Sequence, residues 1–161
     1  MKRHPGLHAL SQHHHFALIE ALEMRRAAGA SAAKRAAALR QVTQKFLRFW
    51  KSTGHLHFRE EEEVLLPAYA RHARLDRDKD VMRMLADHAE IRARIERLEA
   101  ALESGLLDEE EIAALAGLLH DHVRLEENEI FPRIEVALGE AELQALGRRL
   151  TRLHSKNRCE I

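Results

Sequence analysis

His55-Leu56-His57-Phe58-Arg59-Glu60-Glu61-Glu62-Glu63-Val64-Leu65-Leu66-Pro67 is a stretch that the chain spells twice. The second copy, His120-Asp121-His122-Val123-Arg124-Leu125-Glu126-Glu127-Asn128-Glu129-Ile130-Phe131-Pro132, follows 65 residues later. Aligned without gaps, His55/His120, His57/His122, Arg59/Arg124, Glu61/Glu126, Glu62/Glu127 and Pro67/Pro132 are identical, and each copy ends in an apolar pair before its proline. Each copy also places a Glu four residues after a His, one turn further along the same face of a helix. A duplicated His-Glu pair is what a two-metal site inside a helical bundle needs.

Composition agrees with such a bundle. The chain has 161 residues, enough for one domain with a sizeable core, and is 45% apolar and 32% charged. Three prolines and seven glycines among abundant Ala, Leu, Glu and Arg favour helix over strand. Acidic and basic residues balance at 26 each, which argues against nucleic acid or an anionic membrane surface as a partner. The single cysteine, Cys159, cannot form an intramolecular disulfide. No apolar run long enough for a signal peptide or a membrane span is present, so a reducing cytoplasm is the expected compartment. Twelve histidines against five phenylalanines, one tyrosine and one tryptophan is the unusual feature.

Apolar spacing predicts a first helix near residues 7–28, with Leu7, Leu10, Leu18, Ile19, Leu22 and Met24 as its stripe, after a frayed opening over Met1–Gly6. Ser31 is a candidate cap for a long second helix reaching about Ala73, interrupted by Gly54 and bent at Pro67, whose ring clashes with the carbonyl of Glu63. A third helix, capped by Asp76 or Asp78, carries Val81, Met84, Leu85, His88, Ile91, Ile95, Leu98 and Leu102 on one face. Asp108 and Glu111 form a capping-box-like start for a fourth, with Leu115, Leu118, Leu119, His122, Glu126 and Ile130 in line. A last helix with Leu143, Leu146, Leu150 and Leu153 follows Gly139, and His154–Ile161 is expected to be loose. The expected fold is all-α: a single domain over residues 1–161, with an up-down-up-down four-helix bundle at about 7–138 and an extra C-terminal helix at about 140–156.

His57 with Glu61, and His122 with Glu126, lie on faces meant for the core, where a carboxylate is costly unless paired, hydrogen-bonded or metal-bound. The third helix adds His88. The first offers His13, His14 or His15; matching Leu18 and Leu22 to Ile91 and Ile95 favours His15, His14 is the alternative one residue out of phase, and His13 reads as outward. Four imidazoles and two carboxylates could hold two metals bridged by both Glu, a donor set suited to iron, manganese or zinc. A purely structural hydrogen-bonded network is the competing reading. His55 and His120 face sideways, and Glu60, Glu62, Glu63, Glu127 and Glu129 read as solvated charge, with Glu62 and Glu127 as possible supports because they repeat.

These pieces resemble the hemerythrin-like family, the His-His-Glu cation-binding domain. The resemblance rests on Leu10–Leu18, on the stretch from His57 to Pro67, on Asp87–Leu98 and on the stretch from His122 to Pro132, and it spans about residues 7–135. It implies a four-helix bundle holding a non-haem di-iron centre, an oxo- or hydroxo-bridged pair of iron ions. The implied ligands are His15 or His14, His57, Glu61, His88, His122 and Glu126. The oxygen-carrying animal members have a further His where this chain has Arg92, and an Asp five residues after the last His, where Glu126 follows at four. The sensing members with four His and two Glu are closer.

The expected function is a di-iron protein that senses or handles oxygen, nitric oxide, peroxide or iron, its partner a small diatomic ligand or peroxide rather than nucleic acid or membrane. Two alternatives stand beside it. One is an enzyme that reduces peroxide or nitric oxide or oxidises iron; the other is a helical interaction module with incidental histidines.

Overall fold

The computed structural model describes residues 3–158, and among these the secondary structure is helical with no strand. We number five helices: α1, His8–Ala28; α2, a composite over residues 32–69; α3, Lys79–Ser104; α4, a composite over residues 109–137; and α5, Glu140–Arg158. A short 3-10 turn, Pro5–Leu7, precedes α1. α1 packs against α2 and α4, and α3 packs against the same two, so the four long helices form a bundle; α5 seats on the Pro5–Leu7 turn. No described helix is long and apolar enough to cross a membrane.

Helix ends follow local chemistry. Gly29 closes α1, and the Asp78 carboxylate caps α3 by accepting from the N–H groups of Asp80 and Val81. Gly105 ends α3 in the left-handed conformation, φ 73°, which suits a residue without Cβ. Asp108 caps α4 through the N–H of Glu110. Ser31 takes the cap position of α2, where its backbone carbonyl rather than its side chain accepts from Lys34 and Arg35.

The bend expected at Pro67 takes a more specific form. Each repeated stretch contains a π turn that ends two residues before its proline: Glu61–Leu65 and Glu126–Ile130. The N–H of Leu66 donates to the carbonyl of Glu61, and that of Phe131 to Glu126, five residues back rather than four. Pro67 and Pro132 then sit at the start of the next α segment, where a missing N–H is tolerated. The widened turn absorbs the clash a proline makes inside an α-helix. A third π turn, Trp50–Gly54, places Gly54 against the Trp50 ring, where a Cβ would lie 2.5 Å from Trp50 Cε3.

From Arg3 on the opening is held in place, Met1 and Lys2 lying outside the described residues: Arg3 pairs with Glu127 at 2.6 Å and with Glu135 at 3.1 Å, and the His4 N–H donates to Glu135. The buried stripe of α1 is Leu10, His14, Ala17, Ala21 and Met24, whereas Leu22 is 41% and Ile19 38% exposed. Alanines face inward because α1 and α4 lie close together, with Ala17 and Ala21 in the same cluster as Leu115, Ala116 and Leu119. The helix continues from His154 through Arg158, and Cys159 lies outside the described residues.

The core divides into two apolar clusters with a polar layer between them. One holds Leu10, Leu65, Met84, Ile130 and Phe131 and reaches Leu143, Leu146 and Leu150 of α5. The other holds Ala17, Phe46, Phe58, Ile91, Leu115 and Val123. On each bundle helix one ligand candidate falls at the boundary: His14 between Leu10 and Ala17, Glu61 between Phe58 and Val64, His88 between Met84 and Ile91, and Glu126 between Val123 and Ile130.

α5 docks by close backbone approach. A Cβ on Gly147 would lie 2.9 Å from the Cα of Gly6, and one on Gly6 would collide with the carbonyl oxygen of Leu143. Backbone cannot yield as a side chain can, so Gly6→Ala is expected to destabilise the protein by about 1–3 kcal/mol, the usual cost of overpacking. Urea unfolding followed by circular dichroism measures it; an unchanged midpoint would refute this account of α5 docking.

Candidate metal centre

His57 and Glu61 come from α2, His122 and Glu126 from α4, His88 from α3 and His14 from α1. All six are buried, Glu61, His88 and Glu126 completely. Each imidazole turns its Nε2 inward, toward the two carboxylates. His14 Nε2 lies 2.8 Å from Glu126 Oε2 and 3.7 Å from Glu61 Oε1, while His57 Nε2 lies 3.3 Å from Glu61 Oε1. Opposite them, His88 Nε2 lies 3.3 Å from Glu61 Oε2 and 3.7 Å from Glu126 Oε1, and His122 Nε2 lies 3.2 Å from Glu126 Oε1.

Each carboxylate therefore presents one oxygen to the His14–His57 side and the other to the His88–His122 side. Two groups result, His14/His57/Glu61/Glu126 and Glu61/His88/His122/Glu126, each with its donor atoms within 4.8 Å of one another. None of the four Nε2 atoms or the four carboxylate oxygens is aligned for a hydrogen bond. Buried polar atoms are ordinarily hydrogen-bonded, so an inward-facing shell of this kind has the form of a ligand set. Nitrogen and carboxylate donors converging on two adjoining points fit a pair of divalent cations.

Of the first-helix histidines the structure brings His14 to the other five residues. His14 is 2% exposed and enters the cage, whereas His15 is exposed and does not. The leucine match that favoured His15 fails because Leu22 faces outward and the alanines carry the packing face. His13, expected to face outward, is instead half-buried, with its Nδ1 3.4 Å from Glu60 Oε2. Glu60, read as solvated charge, is 1% exposed. It lies three residues after His57, one turn along the same face, a signal hidden within the run of four glutamates.

Glu62 and Glu127, by contrast, do contact cage histidines. His14 Nδ1 is 2.6 Å from Glu127 Oε1, and that carboxylate also accepts from Ser11 Oγ and Arg3. His88 Nδ1 is 2.8 Å from Glu62 Oε1, and Arg92 donates to the other oxygen of Glu62 at 3.0 Å. Arg92, at the position of the oxygen carriers' additional histidine, thus holds the carboxylate that orients His88 and stays outside the cage. Such outer carboxylates fix ring orientation and leave Nε2 as the donor toward the metal. Phe58 stacks on His88 with ring centroids 3.7 Å apart, and Phe131 stacks on His14 at 5.2 Å. Asp87 Oδ2 approaches His122 Nδ1 at 3.7 Å. Arg3, Ser11, Phe58, Phe131 and Asp87 were beyond reach of spacing arguments, because their roles depend on contacts between helices.

Electrostatics follow from this packing. Burial opposes a charged His88, but Glu126, Glu61 and Glu62 prevail and hold its pKa up to about 11. His14 is likewise raised well above its usual value, by Glu126, Glu127 and Glu61 acting against burial. Burial wins at His57 and drives it down to about 3. Burial would also raise Glu62 and Glu127, yet their histidine and arginine partners hold both at about 2. Glu126 is pulled well below the usual range against its burial, chiefly by His122, His14 and His88.

A cavity of about 20 Å³ adjoins the cage, with His14, His57 and His122 on one side and Phe46, Trp50, Phe58 and Leu119 among its apolar walls. It has room for roughly one water-sized molecule.

Comparison with known proteins agrees with this geometry. Searches of curated proteins and of solved structures found no match. The family described as the hemerythrin HHE cation binding domain matches residues 6–134, which include all six cage residues and all but the last turn of the four bundle helices. The chain belongs to the hemerythrin HHE cation-binding family.

Proposed function

We propose that this protein holds two iron ions in the cage and uses them to sense or handle a small ligand, dioxygen, nitric oxide or peroxide. The observation that carries this reading is the sharing of Glu61 and Glu126 by both ligand groups, one oxygen to each side. His14 and His57 would complete one position, His88 and His122 the other. Four imidazoles with two carboxylates suit iron, and also zinc or manganese. Bound iron would supply redox chemistry and affinity for diatomic ligands. The bundle has short connections between its helices, which favours helices alternating in direction around the site.

The chain's own residues set the conditions at the site. The apolar cavity beside His14, His57 and His122 favours a ligand of one or two heavy atoms over a larger substrate. Glu62 and Glu127 keep His88 and His14 pointed inward, and the two apolar clusters exclude bulk water from the layer between them. Those arrangements serve a sensor and an enzyme equally. Turnover of peroxide or nitric oxide well above that of free iron would favour the enzyme.

Three variants test the ligand assignment by metal analysis. Wild type is expected to bind about two iron ions per chain, with oxo-bridged absorption bands when prepared in air. His14→Ala and Glu126→Ala should lower that content, and His15→Ala should leave it unchanged. Full iron content in Glu126→Ala with native helicity would sink the proposal.

Protons compete with the cation for the same imidazoles, so binding should release protons and weaken as pH falls. Calorimetry in buffers of different ionisation enthalpy measures this, and proton uptake on binding would contradict it. The metal-free protein should show its own pH profile. His88 is raised from 6.5 to about 11, so its contribution is complete below about pH 6.5 and is lost as pH rises toward 11. Glu62 and Glu127 are lowered from 4.5 to about 2, so theirs is present above about pH 4.5 and is lost as pH falls toward 2. Burial lowers His57 from 6.5 to about 3, so below about pH 6.5 the unfolded chain takes up a proton there that the folded chain does not, and stability falls. The melting temperature of the metal-free protein should therefore peak near about pH 6.5, and a continued rise above that pH would count against the assignment.

A further inference from the structure

The two halves of the cage differ in what stands beside His57 and His122. His14 and His88 occupy matching places on α1 and α3, so His13 matches Asp87. In the repeated stretches, Glu60 matches Leu125. Beside His122 the chain has an aspartate and a leucine; beside His57 it has a histidine and a glutamate. Glu60 is 1% exposed at a place where the other half buries an apolar side chain, and a buried carboxylate needs a specific reason.

The surroundings of His57 supply one. Its Nε2 faces the cage, 3.3 Å from Glu61 Oε1. Its Nδ1 makes no hydrogen bond, whereas the Nδ1 atoms of His14 and His88 are committed to Glu127 and Glu62 at 2.6 and 2.8 Å. The ring of His13 stands edge-on to that of His57, with centroids 5.4 Å apart, and His13 Nδ1 is 3.4 Å from Glu60 Oε2. One donor atom each from His13, His57 and Glu60 lies within 4.8 Å of the others. Two imidazole nitrogens and one carboxylate oxygen form a three-ligand set that binds zinc-like cations with a fourth position open to water. The cavity lined by both His13 and His57 can accommodate such a water.

We propose that His13, His57 and Glu60 form a third site for a divalent transition-metal cation, on the His14–His57 side of the cage and absent from the other half. An imidazole has two ring nitrogens, so His57 can ligate a cage cation with one and, once its ring proton has been released to solvent, the cation of this site with the other as a bridging imidazolate. The site shares His57 with the proposed cage, but it needs neither iron nor the bridging carboxylates. A cation there would make the two halves of the centre inequivalent.

Cobalt(II) titration of the metal-free protein, read by visible absorption and by metal content after gel filtration, tests this. Wild type is expected to take up three equivalents. His13→Asp together with Glu60→Leu, which installs the residues of the other half, should take up two. Glu126→Ala should weaken the cage yet retain the one equivalent that a further His13→Ala removes. Two equivalents in wild type and two in the His13→Asp/Glu60→Leu variant would overturn the third site and leave the cage standing. A single equivalent in wild type, lost on His13→Ala and kept in Glu126→Ala, would support the third site and overturn the cage. Should the double substitution fail to fold, Glu60→Gln keeps the shape and removes the charge; no loss of cobalt in that variant would also overturn the proposal.

Discussion

Two carboxylates, Glu61 and Glu126, are buried completely at the centre of a helical bundle, each raising the energy of the other's charge. Everything else in the protein answers to that constraint. Burying one ionised carboxylate away from water is expensive, and burying two side by side requires compensating positive charge. Protonated His14 and His88 can supply it in part, and a pair of divalent cations supplies it more fully. The inward Nε2 atoms, whose contacts with the carboxylates are not aligned as hydrogen bonds, are better arranged to surround cations than to bond those oxygens directly.

The helices accommodate this layer by a local change of winding. In each repeated stretch the cage glutamate begins a π turn, and a proline follows it at the start of the next α segment. A π turn adds a residue without breaking the helix, so the face that carries His and Glu and the face that packs beyond the proline can both point inward. Apolar clusters above and below then close off the layer, one anchored through α5 and the Pro5–Leu7 turn, the other through the alanine contact between α1 and α4.

The outer ring of contacts gives the near-symmetric cage its differences. Glu127 ties His14 to Arg3 and Ser11, and Glu62 ties His88 to Arg92, so those two halves correspond closely. His57 and His122 do not correspond: one has His13 and Glu60 beside it, the other Asp87. Any difference in chemistry between the two donor groups is expected to arise from such neighbours rather than from the six cage residues themselves.

The sequence by itself determined the helical class and five of the six cage residues, because a residue's helical face depends on spacing alone. His57, Glu61, His122 and Glu126 were legible from the repeat, and His88 from the apolar residues around it. Periodicity failed on α1. Three consecutive histidines differ by 100° steps, and the buried face there is marked by alanines that spacing arguments pass over in favour of leucines. Only the close packing of α1 on α4 selected His14 over His15. The same holds for His13, Glu60, Arg3 and the carboxylates that orient the rings: their roles are set by distances across helices, which no pattern along one helix contains.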